Sequence, residues 1–147
     1  MSKQNVKLYV CFEPDQRPCA ERLDGWSHTN TDRDLYDSRQ EMKVESPEAA
    51  PMKEALRQQI HEADVTVCII SQTTFLNDWM TWELNTAKAK PDRNPLIGII
   101  LHEFNTHPPV MLNSGTMFVY FKRDAVEEAV HWAVTNKPTD QDFMLED

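Results

Sequence analysis

The sequence predicts an α/β protein whose parallel sheet is covered by helices on both faces. Segments with strand character alternate with helical segments along the chain, which is the pattern of parallel sheets with helical crossovers. Two of the predicted strands, residues 65–71 and 95–101, are near-continuous apolar runs, as expected for strands buried on both faces. A length of 147 residues fits one domain. We therefore expect a functional site at the carboxyl ends of the strands.

Five strands are predicted from their β-branched and aromatic residues. They cover residues 6–12, 35–37, 65–71, 95–101 and 117–121. The first strand is expected to be central, because VKLYVCF follows only a short polar lead. The short LYD segment would place Asp37 at the carboxyl end of a strand. The sheet is thus expected to have five strands.

Three helices are predicted from apolar residues at helical spacing. Residues 52–63 repeat apolar side chains every four positions, residues 124–135 follow the potential N-cap Asp124, and a third helix can be capped by Asn77 or Asp78. A weaker signal, AERLDGW, predicts two further helical turns after the first strand.

The chain is expected to form one domain over residues 1–136, followed by a solvated acidic tail over residues 137–147. Its formal net charge of −9 would repel a polyanion, so no nucleic-acid partner is expected. No apolar run has the length of a membrane span and no signal peptide is evident, which predicts a cytoplasmic protein without membrane contact. The three cysteines lack metal-binding spacing, so no metal site is expected.

Common nucleotide-binding classes do not fit the sequence. The chain has only three glycines, and none follows the first strand, where a dinucleotide fold or a P-loop needs them. A phosphoacceptor receiver domain would require an aspartate at the end of the middle strand, where this chain has Ser71. The remaining candidate is a site centred on a carboxylate.

The stretch SQTTFLNDWMTWELNTAKAK, residues 71–90, carries the leading candidate. It joins a core strand to a helix, and Glu83 lies one turn into that helix beside Trp79 and Trp82. No lysine stands three or four residues after Glu83 to pair with it. We therefore expect Glu83 to be a functional group, with Asp37 and Glu13 as neighbours at the strand ends.

The order of motifs resembles the bacterial TIR-like (Toll/interleukin receptor homology) family found in Thoeris antiphage systems. LYVCFE, LDGW, LYD, DVTVCIIS, NDWMTWELNTAK and PLIGIIL follow one another over residues 7–134. The most specific part is WMTWEL, which is similar to the W-x-x-W-E motif of that family. The resemblance implies a flavodoxin-like fold.

The resemblance also implies an enzyme, an NAD glycohydrolase or ADP-ribosyl cyclase, that cleaves NAD at the nicotinamide ribosyl bond. Its expected product is a cyclic ADP-ribose-type signal that acts on a separate effector protein. NAD would be the substrate, and no further cofactor is implied. Oligomerisation on activation is common in the family, so a homo-oligomer is expected.

In this family the helix glutamate is catalytic, which here is Glu83. Six further residues are expected to bind substrate. The aromatic side chains would stack on nicotinamide or adenine, the hydroxyls would hydrogen-bond phosphate or ribose, and Asp37 would lie beside them: Phe12, Asp37, Ser71, Thr74, Trp79 and Trp82.

The chain departs from the family pattern after the first strand, where it has Cys11, Phe12, Glu13 and Pro14. Glu13 would be unfavourable beside a diphosphate. Two other functions remain open. One is a non-catalytic TIR-like adaptor that assembles through its loops and helices. The other is a nucleoside deoxyribosyltransferase-like enzyme, which would release a base from deoxynucleosides through a nucleophilic glutamate.

Overall fold

A computed structural model describes residues 6–26, 28–29, 33–89, 95–112, 114–135 and 143–144 of the chain. Six parallel strands form one sheet in the order β2-β1-β3-β4-β5-β6. Their bounds are β1 Lys7–Cys11, β2 His28–Thr29, β3 Val65–Ile70, β4 Leu96–Ile100, β5 Met117–Tyr120 and β6 Phe143–Met144.

Five α-helices flank the sheet, at α1 Arg17–Trp26, α2 Arg33–Ser38, α3 Ala50–Glu62, α4 Asp78–Ala89 and α5 Arg123–Thr135. Short 3-10 helices lie at Pro14–Gln16, Arg39–Glu41, Pro47–Ala49, Thr74–Leu76 and Pro109–Met111. Helices α3 and α4 pack against each other and against β1 and β3, whereas α5 packs against β3, β4 and β5.

The predicted α/β fold with a parallel sheet is confirmed, and a flavodoxin-like arrangement fits it. The predicted count of five strands is wrong. Four strands have four to six residues, and the two-residue strands β2 and β6 extend the edges. All residues of β3 and β4 are buried, as expected for strands covered on both faces.

The predicted strand at residues 35–37 is also wrong, because these residues lie within helix α2. Asp37 therefore lies in a helix and not at the end of a strand. The edge strand next to β1 is instead β2, His28–Thr29, in a segment where the sequence predicts no strand. Two residues of β structure are too short for a periodic signal.

The carboxyl ends of β1 and β3 lie at a reversal in the strand order. The chain leaves β1 toward β2 and returns to β3 on the other side of β1. Such a reversal in strand order is the switch point at which open parallel sheets bind ligands. In the predicted tail, residues 143–144 pair with β5, and its other residues lie outside the described part of the chain.

Candidate functional site

Helix α4 carries Glu83 into the protein core. The helix starts at Asp78, after Asn77, whose side-chain oxygen accepts a 2.9 Å hydrogen bond from the Met80 amide, as an N-cap does. Its buried face then follows helical spacing through Trp79, Met80, Glu83, Leu84 and Ala87. Glu83 is the charged member of this face, and its side chain is 0% exposed.

Two tyrosines and one arginine surround the Glu83 carboxylate. The Tyr9 hydroxyl donates to Oε2 at 2.5 Å, and the Tyr36 hydroxyl donates to Oε1 at 3.1 Å. The Nη2 atom of Arg39 lies 3.4 Å from Oε1. The three partners come from β1, α2 and the following 3-10 helix, so one buried carboxylate ties three segments together.

Arg39 is itself fixed by neighbours around the first strand. Its Nη2 donates to the Phe12 carbonyl at 2.9 Å and to the Tyr36 hydroxyl at 2.7 Å. The guanidinium carbon also stands 3.9 Å from the centroid of the Tyr36 ring. Within the described residues, the buried Nε of Arg39 has no hydrogen-bond partner. Arg39 therefore holds an unused donor next to a buried carboxylate.

Burial dominates the acid–base properties of this network. It raises the pKa of Glu83 above its ordinary value, although the charge of Arg39 and the hydrogen bonds from the tyrosines oppose the rise. Burial and the nearby Glu83 charge hold the pKa of Tyr9 well above its ordinary value. The pKa of Tyr36 is likewise well above its ordinary value, chiefly because of burial. Both phenols therefore stay protonated as donors to Glu83.

An open cleft of 490 Å³ lies beside this network. It is lined by Pro14, Arg39, Gln40, Met42, Lys43, Val44, Glu45, Asn77, Asp78 and Trp79. The indole nitrogen of Trp79 donates to the Met42 carbonyl at 2.9 Å, which ties one wall to the other. Arg39 both lines the cleft and contacts Glu83, so it connects the buried carboxylate to the cleft.

A second polar cluster bridges the crevice between β1 and β3. The Glu13 carboxylate accepts hydrogen bonds from the hydroxyls of Ser71 at 2.5 Å, Thr73 at 2.9 Å and Thr74 at 2.9 Å. We call these three hydroxyls the hydroxyl triad. A further cleft of 440 Å³ adjoins it, lined by Gln16, Ser71, Gln72, Leu101, His102, Phe104 and Asn105. The triad thus lies beside this cleft through Ser71.

The structure brings some of the predicted binding residues together. Ser71 and Thr74 both contact Glu13. The Phe12 ring is buried and lies 4.8 Å from the Tyr36 ring, and the Phe12 amide donates to the Tyr36 hydroxyl at 3.0 Å. Phe12 therefore belongs to the network around Glu83 through its backbone and not as a wall of either cleft.

Two other predicted residues, Asp37 and Trp82, lie apart from Glu83 and do not line the 490 Å³ cleft. Asp37 accepts a hydrogen bond from Arg17. Trp82 packs edge-on against Trp79, with ring centroids 5.8 Å apart, and carries Arg57 over its face at 5.6 Å. Trp79 lines the 490 Å³ cleft, whereas Trp82 lines two shallower clefts on the outer side of α4.

Tyr9, Tyr36 and Arg39 are missing from the sequence-based candidates. Tyr36 and Arg39 are three residues apart, which places them on one helical face, but the strand prediction for residues 35–37 hides that spacing. Tyr9 lies in the middle of β1, where an aromatic residue is equally typical of ordinary core packing. Their common partner Glu83 is 74 residues from Tyr9 and 47 from Tyr36.

The chain matches the model of a known protein family. The family model described as "Thoeris protein ThsB, TIR-like domain" matches residues 9–106, well over half of the chain. No curated protein matches the chain. Among the described residues, no helix is long and apolar enough to cross a membrane. No group of three histidine, cysteine, aspartate or glutamate side chains in the same part of the chain could hold a metal ion.

Proposed function

The chain belongs to the TIR-like domain family of Thoeris protein ThsB, and we propose on this premise that it cleaves NAD at the nicotinamide ribosyl bond. Family membership supports a role in antiphage defence alongside other proteins. The proposed product is a cyclic ADP-ribose-type signal for a separate effector. The proposed catalytic group is the Glu83 carboxylate.

The observation that carries the proposal is the buried Glu83 itself. An ion pair such as Glu83 with Arg39 adds little net stability compared with apolar residues of the same volume. Glu83 nevertheless occupies a fully buried position one side chain away from a 490 Å³ cleft. A buried carboxylate with a raised pKa beside a cleft is typical of functional sites.

The reaction needs one well-placed negative charge. Nicotinamide leaves NAD as a neutral base from a pyridinium, so no general acid has to protonate it. Positive charge develops instead on the ribose, as in other glycosidic cleavages. A carboxylate in a water-excluded site stabilises that charge more strongly than it would in water. Losing this electrostatic stabilisation raises the activation free energy by ~3 kcal/mol, which lowers the rate about a hundredfold.

Arg39 has to move for Glu83 to reach a substrate in the cleft. Arg39 lines the cleft, its Nη2 atom is 3.4 Å from Glu83, and the Glu83 side chain is 0% exposed. Trp79 would then form the apolar wall against which a nicotinamide or adenine ring stacks. This closed arrangement is also the observation that favours the alternative of a non-catalytic adaptor, because a permanently covered Glu83 could not act on NAD.

The test is nicotinamide release from NAD by concentrated purified protein, with and without lysate of phage-infected cells as a trigger. The proposal predicts release, and an ADP-ribose product lighter by one water would identify cyclisation. Glu83→Gln should abolish release, while the exposed control Glu62→Gln should retain it. If none of the proteins releases nicotinamide, with or without lysate, the result would favour the non-catalytic adaptor. Cleavage of deoxynucleosides with NAD left intact would favour the deoxyribosyltransferase-like reaction.

A further inference from the structure

The Glu13 carboxylate is the ligand of the hydroxyl triad in this structure. Oε1 accepts from Ser71 and Thr74, and Oε2 accepts from Thr73. Each hydroxyl has a single proton to donate. The Thr74 hydroxyl also accepts a 2.8 Å hydrogen bond from the Ser71 amide. Its distances to the Ser71 hydroxyl, 3.1 Å, and to the Ile69 carbonyl, 3.4 Å, are longer than its 2.9 Å contact with Glu13. Glu13 is thus the nearest acceptor for the Thr74 hydroxyl and is shared by all three hydroxyls of the triad.

The same three donors suit a phosphate. Phosphate oxygens and carboxylate oxygens are both anionic acceptors of short hydrogen bonds from hydroxyls. The Ser71 side chain is half-buried and the Thr74 side chain is 1% exposed, whereas Thr73 is exposed. Two of the three donors are therefore held in place by the end of β3 and the turn that follows it, and Thr73 adds a third donor from the surface.

The location of the triad also points to a ligand. It lies at the switch point between β1 and β3, where ligands bind in open parallel sheets. Ser71 lines the 440 Å³ cleft, and Pro14, the residue after Glu13, lines the 490 Å³ cleft. Glu13 therefore lies next to a lining residue of each cleft, through its hydrogen bond to Ser71 and its peptide bond to Pro14.

We propose that the hydroxyl triad is a subsite for a phosphate group of the substrate, and that Glu13 fills it as an internal ligand in the resting protein. This inference rests on the proposed function, since NAD supplies the diphosphate. Substrate then binds only when Glu13 leaves the triad, because the two negative charges repel each other in the same site.

Displacement of Glu13 also affects the contacts of Arg39. The preceding residue, Phe12, accepts a hydrogen bond from Arg39 through its carbonyl and donates one to Tyr36 through its amide. A shift of residues 12–14 loosens both contacts. Phosphate binding at the triad is thus coupled to release of the arginine that covers Glu83.

The experiment measures pyrophosphate binding by calorimetry, without NAD. Glu13→Gln keeps the side-chain shape and removes the charge, so pyrophosphate should bind about tenfold more tightly than to the wild type. Glu62→Gln is the matched control, because Glu62 is an exposed residue at the end of helix α3 and lines neither cleft. It should change the affinity by less than about twofold.

Adding the substitutions Ser71→Ala and Thr73→Val to Glu13→Gln should remove the gain in pyrophosphate affinity. In the wild-type protein, amide NMR spectra with excess pyrophosphate should shift at residues 71–74, which tests the subsite without any variant. Equal pyrophosphate affinities for Glu13→Gln and Glu62→Gln, a gain in affinity that survives loss of the hydroxyls, or unshifted amides would overturn the proposal. Tighter pyrophosphate binding in a protein that never releases nicotinamide would reject the proposed function and leave the subsite standing.

Discussion

The Tyr9 hydroxyl lies 2.5 Å from Oε2 of Glu83, although the two residues are 74 positions apart in the chain. Tyr9 is in the middle of β1 and Glu83 is on the inner face of α4, and both are 0% exposed. The contact joins a central strand to the helix that follows β3. It orients the proposed catalytic carboxylate and also contributes to the stability of the fold.

Tyr9→Phe should destabilise the protein. The substitution removes one hydrogen bond and leaves Oε2 of a buried carboxylate without its donor, which costs about 2 kcal/mol. Urea denaturation followed by tryptophan fluorescence measures this as a lower free energy of unfolding. Tyr120→Phe is the matched control, because Tyr120 is 38% exposed, and it should change stability by less than about 0.5 kcal/mol. Equal effects of the two substitutions would contradict the assigned role of the Tyr9 hydroxyl.

The network also predicts loss of stability at alkaline pH. Burial raises the pKa of Tyr9 and of Tyr36 in the folded protein well above the ordinary value. Above pH ~10 the unfolded chain loses these phenolic protons while the folded protein keeps them. The stability that the phenols contribute is therefore present below pH ~10 and falls as the pH rises.

The measurement compares wild type and Tyr9→Phe by urea denaturation at pH 9 and at pH 11. Between these two pH values the free energy of unfolding of the wild type should fall by about 1 kcal/mol more than that of the variant, because the wild type has one more buried phenol. Identical losses in the two proteins would mean that Tyr9 ionises freely in the folded state.

Gly98→Ala should be destabilising for steric reasons. A Cβ at Gly98 would lie 2.6 Å from Cδ1 of Phe118, its neighbour on β5, and 3.1 Å from Cδ1 of Ile70. Overpacking of this kind costs about 1–3 kcal/mol. At Gly25, in helix α1, a Cβ would meet no atom within 4 Å. Gly25→Ala should therefore raise stability by about 0.5–1 kcal/mol. The melting temperatures of both variants test these two predictions. A Gly98→Ala variant with the stability of the wild type would contradict the close packing of β4 against Phe118.

Much of the fold can be predicted from the sequence where segments are long and apolar. The prediction of a strand at residues 65–71 differs from the observed Val65–Ile70 by one residue, and the helix predicted at 124–135 is Arg123–Thr135. The prediction fails at residues 35–37, where Tyr36 and its neighbours have strand propensity but form helix α2. Three residues give too little periodicity to distinguish the two.

The candidate site can be predicted only in part. The helix that carries Glu83 after β3, with Trp79 and Trp82 beside it, can be predicted from the WMTWEL motif, whereas the complete burial of Glu83 follows only from the structure. Its partners cannot be predicted, because hydrogen bonds to Tyr9 and Tyr36 depend on how distant segments pack. Glu13 illustrates the same limit. The sequence indicates that its charge would oppose a diphosphate, but its position within the hydroxyl triad follows only from the pairing of β1 with β3.

The most direct test of the central claim is the initial rate of nicotinamide release by Glu83→Gln, relative to wild type at equal concentrations of folded protein. Near-ultraviolet circular dichroism of the tryptophans verifies the folded fraction, and Glu83→Asp, which keeps the charge, provides a second variant. We expect the rate of Glu83→Gln to fall by at least about a hundredfold, with a smaller loss for Glu83→Asp. A folded Glu83→Gln protein that releases nicotinamide at nearly the wild-type rate would contradict the catalytic assignment.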